Sequence, residues 1–148
     1  IAQKPAQYDA SRPFSTWLFS VANNMCKNEY RREEVRRAAV PELAETMSGD
    51  AEISVRVTAA MALGNMGAAA QEAVPALIRA LKDQDSQVRN WAATALGSIG
   101  PGAESAVPAL KRAARIEGSR PAAEEAIRKI RGISTDQPLP PDEPLPEN

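Results

Sequence analysis

One motif recurs at a fixed spacing, and it restricts this chain more than any single residue does. Val55-Arg56 returns as Val88-Arg89, 33 residues later, and Ala62-Leu63-Gly64-Asn65-Met66-Gly67 returns as Ala95-Leu96-Gly97-Ser98-Ile99-Gly100. Ala73-Val74-Pro75 recurs as Ala106-Val107-Pro108, with Val40-Pro41-Glu42-Leu43 as a looser upstream copy. A period of 33 or 34 residues is too short for a self-contained domain. It signals units that bury their apolar faces only by stacking on one another.

Within each unit the apolar residues follow a helical period. Three helix pairs are predicted: 40–47 with 52–65, 72–82 with 86–98, and 104–116 with 121–131. Gly49-Asp50, Gly67, the polar 83–85 turn, Gly100-Pro101-Gly102 and Gly118 supply the breaks. Pro75 and Pro108 fall in first helical turns, where a missing N–H costs nothing. Val88, Ala92, Ala95, Leu96 and Ile99 form one face, echoing Val55, Ala59, Ala62, Leu63 and Met66. In the third unit Ser119-Arg120-Pro121 replaces the Val-Arg step two residues early, and the last helix is more charged, as a terminal cap should be.

The pattern Asp83, Val88-Arg89, Ala92, Ala95-Leu96-Gly97, Ile99-Gly100, with a second copy from Asp50 to Gly67, resembles HEAT repeats. The likeness is to the short class associated with phycobilisome lyases. It implies that Arg56 and Arg89 make inter-repeat contacts to an acidic residue at the preceding turn, with Asp50 and Asp83 as candidates. Trp91 stands where the sister repeat has Thr58, beside the Val88/Ala92 stripe. Exposed tryptophans are favoured interface anchors, so Trp91 is the candidate partner-binding residue.

The first 37 residues have another composition: seven Lys/Arg against four Asp/Glu, and all but one of the aromatics. From Phe14 the apolar residues at 14, 17, 18, 21 and 25 make a helical stripe, and that helix is expected to run to about Arg37. Phe14-Ser15-Thr16-Trp17-Leu18, then Ala22-Asn23-Asn24 and a basic helix end, resembles part of region 2 of extracytoplasmic-function sigma factors. By that resemblance Tyr8, Arg12 and Asn24 would meet single-stranded promoter −10 DNA, an aromatic face stacking on a base and an amide reading its edge. Arg31, Arg32, Arg36 and Arg37 would then contact phosphates. RNA polymerase and promoter DNA are the partners this segment implies.

Composition excludes other classes. With one cysteine and no histidine there is no disulfide framework, no Cys/His zinc site and no histidine base for a nucleophilic triad. No catalytic residue, metal site or cofactor is expected. No apolar run is long enough to span a bilayer, so no membrane partner is expected and the expected location is the cytoplasm. A chain that opens on Ile1 reads as a piece of a longer one. Residues 133–148 hold four acids, no base and a run of prolines, the composition of an extended tail.

The expected fold is therefore all-α. Residues 38–132 form a short α-solenoid of three HEAT-like helix pairs, preceded by a sigma-region-2-like helix (1–37) and followed by a disordered, Pro-rich tail (133–148). The expected function is a non-enzymatic protein–protein interaction scaffold attached to a sigma-like segment, in transcription regulation. The alternative is a partial sigma factor that contacts −10 DNA, with the repeats as regulatory appendage. The repeat class also permits an enzyme-associated role like that of bilin lyases, but no residue here supplies such chemistry.

Overall fold

The computed structural model describes residues 33–49 and 52–141, and every regular element among them is helical. In chain order these are α1 (Glu33–Gly49), α2 (Ile53–Met66), a 3-10 segment (Gly67–Ala73) and α3 (Val74–Ala80). Then come α4 (Ser86–Ile99), a second 3-10 segment (Gly100–Ala106), α5 (Val107–Ala113) and α6 (Arg120–Arg131). Odd-numbered helices make one layer and even-numbered helices the other, so each consecutive pair is one repeat.

Local chemistry sets where the helices start and stop. Gly67 (φ 55°) ends α2 and Gly100 (φ 74°) ends α4, in a region of backbone space that side chains disfavour. At the start of α4 the Asp85 carboxylate accepts the backbone N–H groups of Gln87 and Val88 at 2.8 and 3.2 Å. Two donors that the helix itself leaves unused are thereby satisfied.

Two boundaries differ from the sequence-based expectation. The helices expected to begin at 72 and 104 begin instead at Val74 and Val107, each after a 3-10 segment. Pro75 and Pro108 hold the first turns of α3 and α5, and Ala70 (φ −91°, ψ 15°) and Ala103 (φ −102°, ψ 17°) break the helical path just before them. Both alanines are wholly buried, so a bare methyl lets each turn pack into the array. The second difference is α1, which runs unbroken through Pro41. The helix expected to end at about Arg37 and the one expected over 40–47 are thus a single helix among the described residues. Pro41 has no N–H for the Arg37 carbonyl, a real cost in a helix interior. Burial of Val40, Leu43 and Met47 on one face of α1, packed on α2 and the segments that follow, offsets it.

One apolar cluster runs from Val40 in α1 to Ile130 in α6. Leu63 and Leu96 occupy equivalent sites in α2 and α4, Leu77 and Leu110 in α3 and α5, and all four are fully buried. Each contributes about 1.5–3 kcal/mol by leaving water. Close approach between the even helices depends on glycine. A Cβ on Gly64 would lie 3.2 Å from the Ala95 Cα, and one on Gly97 would lie 3.0 Å from the Ala126 Cα. Gly64 and Gly97 are equivalent positions, so one small-residue contact stacks α2 on α4 and α4 on α6. Two residues after Ala126, where the repeat would call for glycine, stands Arg128.

The tail has no helix from Ile133 to Pro141, as its composition suggests, but its first part is held down. The Ile133 N–H returns to the Arg128 carbonyl at 2.9 Å. The Arg128 guanidinium donates to the carbonyls of Ser134 and Gln137, and Leu139 packs against the apolar cluster.

Candidate protein-interaction surface

α2, α4 and α6 stack side by side and present an outer face on the side away from the odd-numbered helices. On α4 the buried residues are Val88, Ala92, Ala93, Ala95, Leu96, Gly97 and Ile99. That leaves Gln87, Trp91, Thr94 and Ser98 exposed at helical spacing on the opposite side. The equivalent row on α2 is Ser54, Thr58, Met61 and Asn65; on α6 it is Ala122, Glu125 and Lys129. Trp91 is 37 % exposed and Met61 36 %, a large share for side chains of this size. The Thr58 and Thr94 hydroxyls donate back to the Ser54 and Asn90 carbonyls at 2.7 and 3.0 Å. Those hydroxyls are thus occupied by their own helices, which leaves the face around Trp91 more apolar than its composition suggests. α2 and α4 each contain one charged residue, Arg56 and Arg89, and both are engaged elsewhere. On α6 the charges of Glu125 and Lys129 lie 3.7 Å apart.

The two arginines tie the repeats together, and Asp83, one of the two acids the resemblance implied, takes part in both contacts; Asp50, the other, lies outside the described residues. Arg56 Nε and Nη2 donate to Asp83 Oδ2 and Oδ1, both at 3.1 Å, in a two-pronged ion pair that is about 15 % exposed on each side. Asp83 belongs to the turn of the next repeat, not the preceding one. With that carboxylate engaged, Arg89 takes main-chain oxygens instead. Its Nη1 donates to the Asp83 and Gln84 carbonyls at 2.9 and 2.8 Å, and its Nε donates to the Ser119 hydroxyl at 3.1 Å. Ser119 is 2 % exposed and takes the position that valine holds in the other two repeats. Its hydroxyl gives Arg89 an acceptor in the next repeat, as Asp83 does for Arg56. The irregular Ser119-Arg120-Pro121 step was the only sequence signal for this contact. Asn90, which also joins this seam through Nδ2 to the Gly118 carbonyl at 3.0 Å, carried none.

The remaining expected site residues fall elsewhere. Tyr8, Arg12, Asn24, Arg31, Arg32 and Asp50 lie outside the described residues, and Arg36 and Arg37 lie in α1. Among the described residues no group of three or more His, Cys, Asp or Glu is placed to hold a metal, and no helix is long and apolar enough to cross a membrane.

Paired helices at a fixed period, one shared core and inter-repeat arginine contacts define a short α-solenoid. The family model for HEAT repeats matches residues 40–131, and the chain belongs to that family. Among curated proteins, no relative matches the chain.

Proposed function

We propose that this protein is a non-enzymatic interaction scaffold that presents the outer face of α2, α4 and α6 to a protein partner, with Trp91 as its anchor. The observation that carries the reading is a large aromatic side chain, 37 % exposed, in the middle of a face with little free charge. Interface cores have this character: aromatic anchors are enriched there and charges depleted. A HEAT array suits the role because its core holds the face rigid, so little ordering is left for binding. The test is affinity capture by the full chain against its Trp91→Ala and Met61→Ala variants. A true anchor gives a Kd weakened roughly 30-fold or more, the equivalent of about 2 kcal/mol, with an unchanged thermal melt. Partners retained at full affinity by Trp91→Ala would rule this face out.

The sigma-like segment extends this reading toward transcription regulation, with RNA polymerase or −10 DNA as the second partner. Its support is the Phe14-to-Asn24 pattern, together with the continuity of α1, which joins Arg36 and Arg37 to the first buried residues of the array. Fluorescence anisotropy with a single-stranded −10-like oligonucleotide, over a salt series, tests it. Sequence-selective, salt-sensitive binding that Tyr8→Ala/Asn24→Ala weakens supports the role. An absence of binding at low salt leaves the scaffold reading alone.

A further inference from the structure

The outer face is not uniform: its apolar side chains gather along one of its two inter-helix grooves. Gly64 on α2 meets Ala95 on α4, so these positions mark the sides on which the two helices face each other. Trp91 lies one turn before Ala95, on the α2-facing side of α4. Met61 lies one turn before Gly64, on the α4-facing side of α2, and Val57 and Ile53 continue its row turn by turn. Ile53, Met61 and Trp91 are exposed, and Val57 is partly buried against the core cluster. The matching groove between α4 and α6 carries Ser86, Asn90 and Thr94 opposite Ala122, and Asn90 is bound to the Gly118 carbonyl. Only the α2/α4 groove is therefore apolar along its length.

What the groove demands of a partner follows from its polar groups. The Ser54 hydroxyl donates to Glu52 Oε1 at 2.7 Å, the Thr58 and Thr94 hydroxyls donate to their own helices, and Arg56 and Arg89 are held in the seam between repeats. A charged partner would shed its water here without finding an opposite charge to replace it. The matching partner is itself apolar and uncharged over the same extent. A two-fold axis sets each group of a surface near its own copy, so free charge close to the axis repels itself. The α2/α4 groove satisfies that condition, because the only charges on its two helices are engaged. Glu125 and Lys129 stand outside it on α6 and pair with each other. The odd-numbered layer does not satisfy it: Arg79 on α3 and Arg112 on α5 are exposed at equivalent positions.

We propose that the α2/α4 groove is a homodimer interface: a second copy of the chain packs on it across a two-fold axis, and Trp91 of each copy enters the groove of the other beside Met61 and Ile53. The inference rests on the reading of the outer face as a protein-interaction surface and names its partner. Two helices of 14 residues each, side by side, offer a footprint of roughly 20 Å by 20 Å. That is small beside the roughly 800 Å² per partner of a standard interface. The dimer is accordingly reversible, with a Kd in the micromolar range.

The experiment is sedimentation equilibrium of the full chain from low-micromolar to submillimolar concentration, with circular dichroism confirming an intact array in every variant. The parent is expected to pass from monomer to dimer across the series. Trp91→Ala is expected to weaken the dimer about 100-fold or more, since each dimer loses two anchors. Met61→Glu and Met61→Lys are each expected to be monomeric and to associate when mixed, because the two-fold axis brings their opposite charges together. A parent chain that stays monomeric throughout overturns the inference but not the scaffold reading, whose capture test a different protein can still satisfy through Trp91. A dimer that keeps its affinity in Trp91→Ala and Met61→Glu is held by another part of the chain, which also overturns it. So does a mixture of the two Met61 variants no more associated than either alone, which would place the contact away from a two-fold axis.

Discussion

Asp83 holds a junction between repeats through a few atoms. Its carboxylate takes both prongs of Arg56, and Oδ1 also accepts the Asp85 N–H at 2.9 Å, which shapes the turn ahead of α4. Hydrogen bonds to a charged group contribute about 1.5–3 kcal/mol when mostly buried. Asp83→Ala should therefore lower stability by about 2 kcal/mol, read as a fall in the denaturant midpoint at constant slope. A double-mutant cycle with Arg56→Ala should return a coupling of about 1–3 kcal/mol, and additivity would show that the pair is ornamental. Asp136 acts on a weaker contact. The Ser134 hydroxyl holds its carboxyl below the ordinary carboxylate range, aided by its own backbone N–H and by the charge of Arg128. A carboxyl depressed on folding contributes above its unfolded pKa and loses that contribution as pH falls through the folded value. The Ser134–Asp136 turn should thus hold at neutral pH and weaken only below about pH 4, while the carbonyl contacts of Arg128 keep the tail in place. Amide protection at 134–137, corrected for the intrinsic slowing of exchange in acid, should then fall on acidification while amides in α4 keep theirs.

At the scale of the helix, Gly97 and Pro41 make opposite predictions. A side chain at Gly97 has nowhere to go, because even a Cβ would meet the Ala126 backbone at 3.0 Å. Gly97→Val should cost about 1–3 kcal/mol by overpacking, although valine is the better helix former. Pro41→Ala should stabilise, by as much as about 3 kcal/mol, since it restores a hydrogen bond inside α1. An unchanged melting temperature would mean that the helix breaks there in solution. These elements also mark what the sequence disclosed. The even helices were legible nearly to the residue, because Val88, Ala92, Leu96 and Ile99 repeat α2 and glycines close both. The 3-10 segments were not, since Gly67–Ala73 is mostly alanine and small residues distinguish poorly between a tight turn and a helix. Asp83 was legible as an acidic partner for the arginine ladder, but spacing alone does not say which of the neighbouring arginines its carboxylate meets. Trp91 was picked out because it departs from its sister position.

Across the whole molecule, stability is shared between neighbours, so the repeats should melt together. Removing everything after residue 132 should preserve a cooperative thermal transition close to the parent's. Removing everything after residue 116 strips α6 from α4, uncovers Ala92, Ala95 and Gly97, and should abolish that transition or drive aggregation; independent melting of the remaining pairs would contradict a shared core. The stacking contact also bears on how such a chain lengthens over evolution. A helix accepts a successor where it offers glycine, as α2 does at Gly64 and α4 at Gly97. α6 offers Arg128 instead, already engaged with the Ser134 and Gln137 carbonyls. A duplicated unit appended after α6 would find its landing site blocked, whereas a copy of the central repeat inserted before α5 would meet compatible surfaces on both sides. Lengthening is therefore permitted from the middle and barred at the end, by one residue.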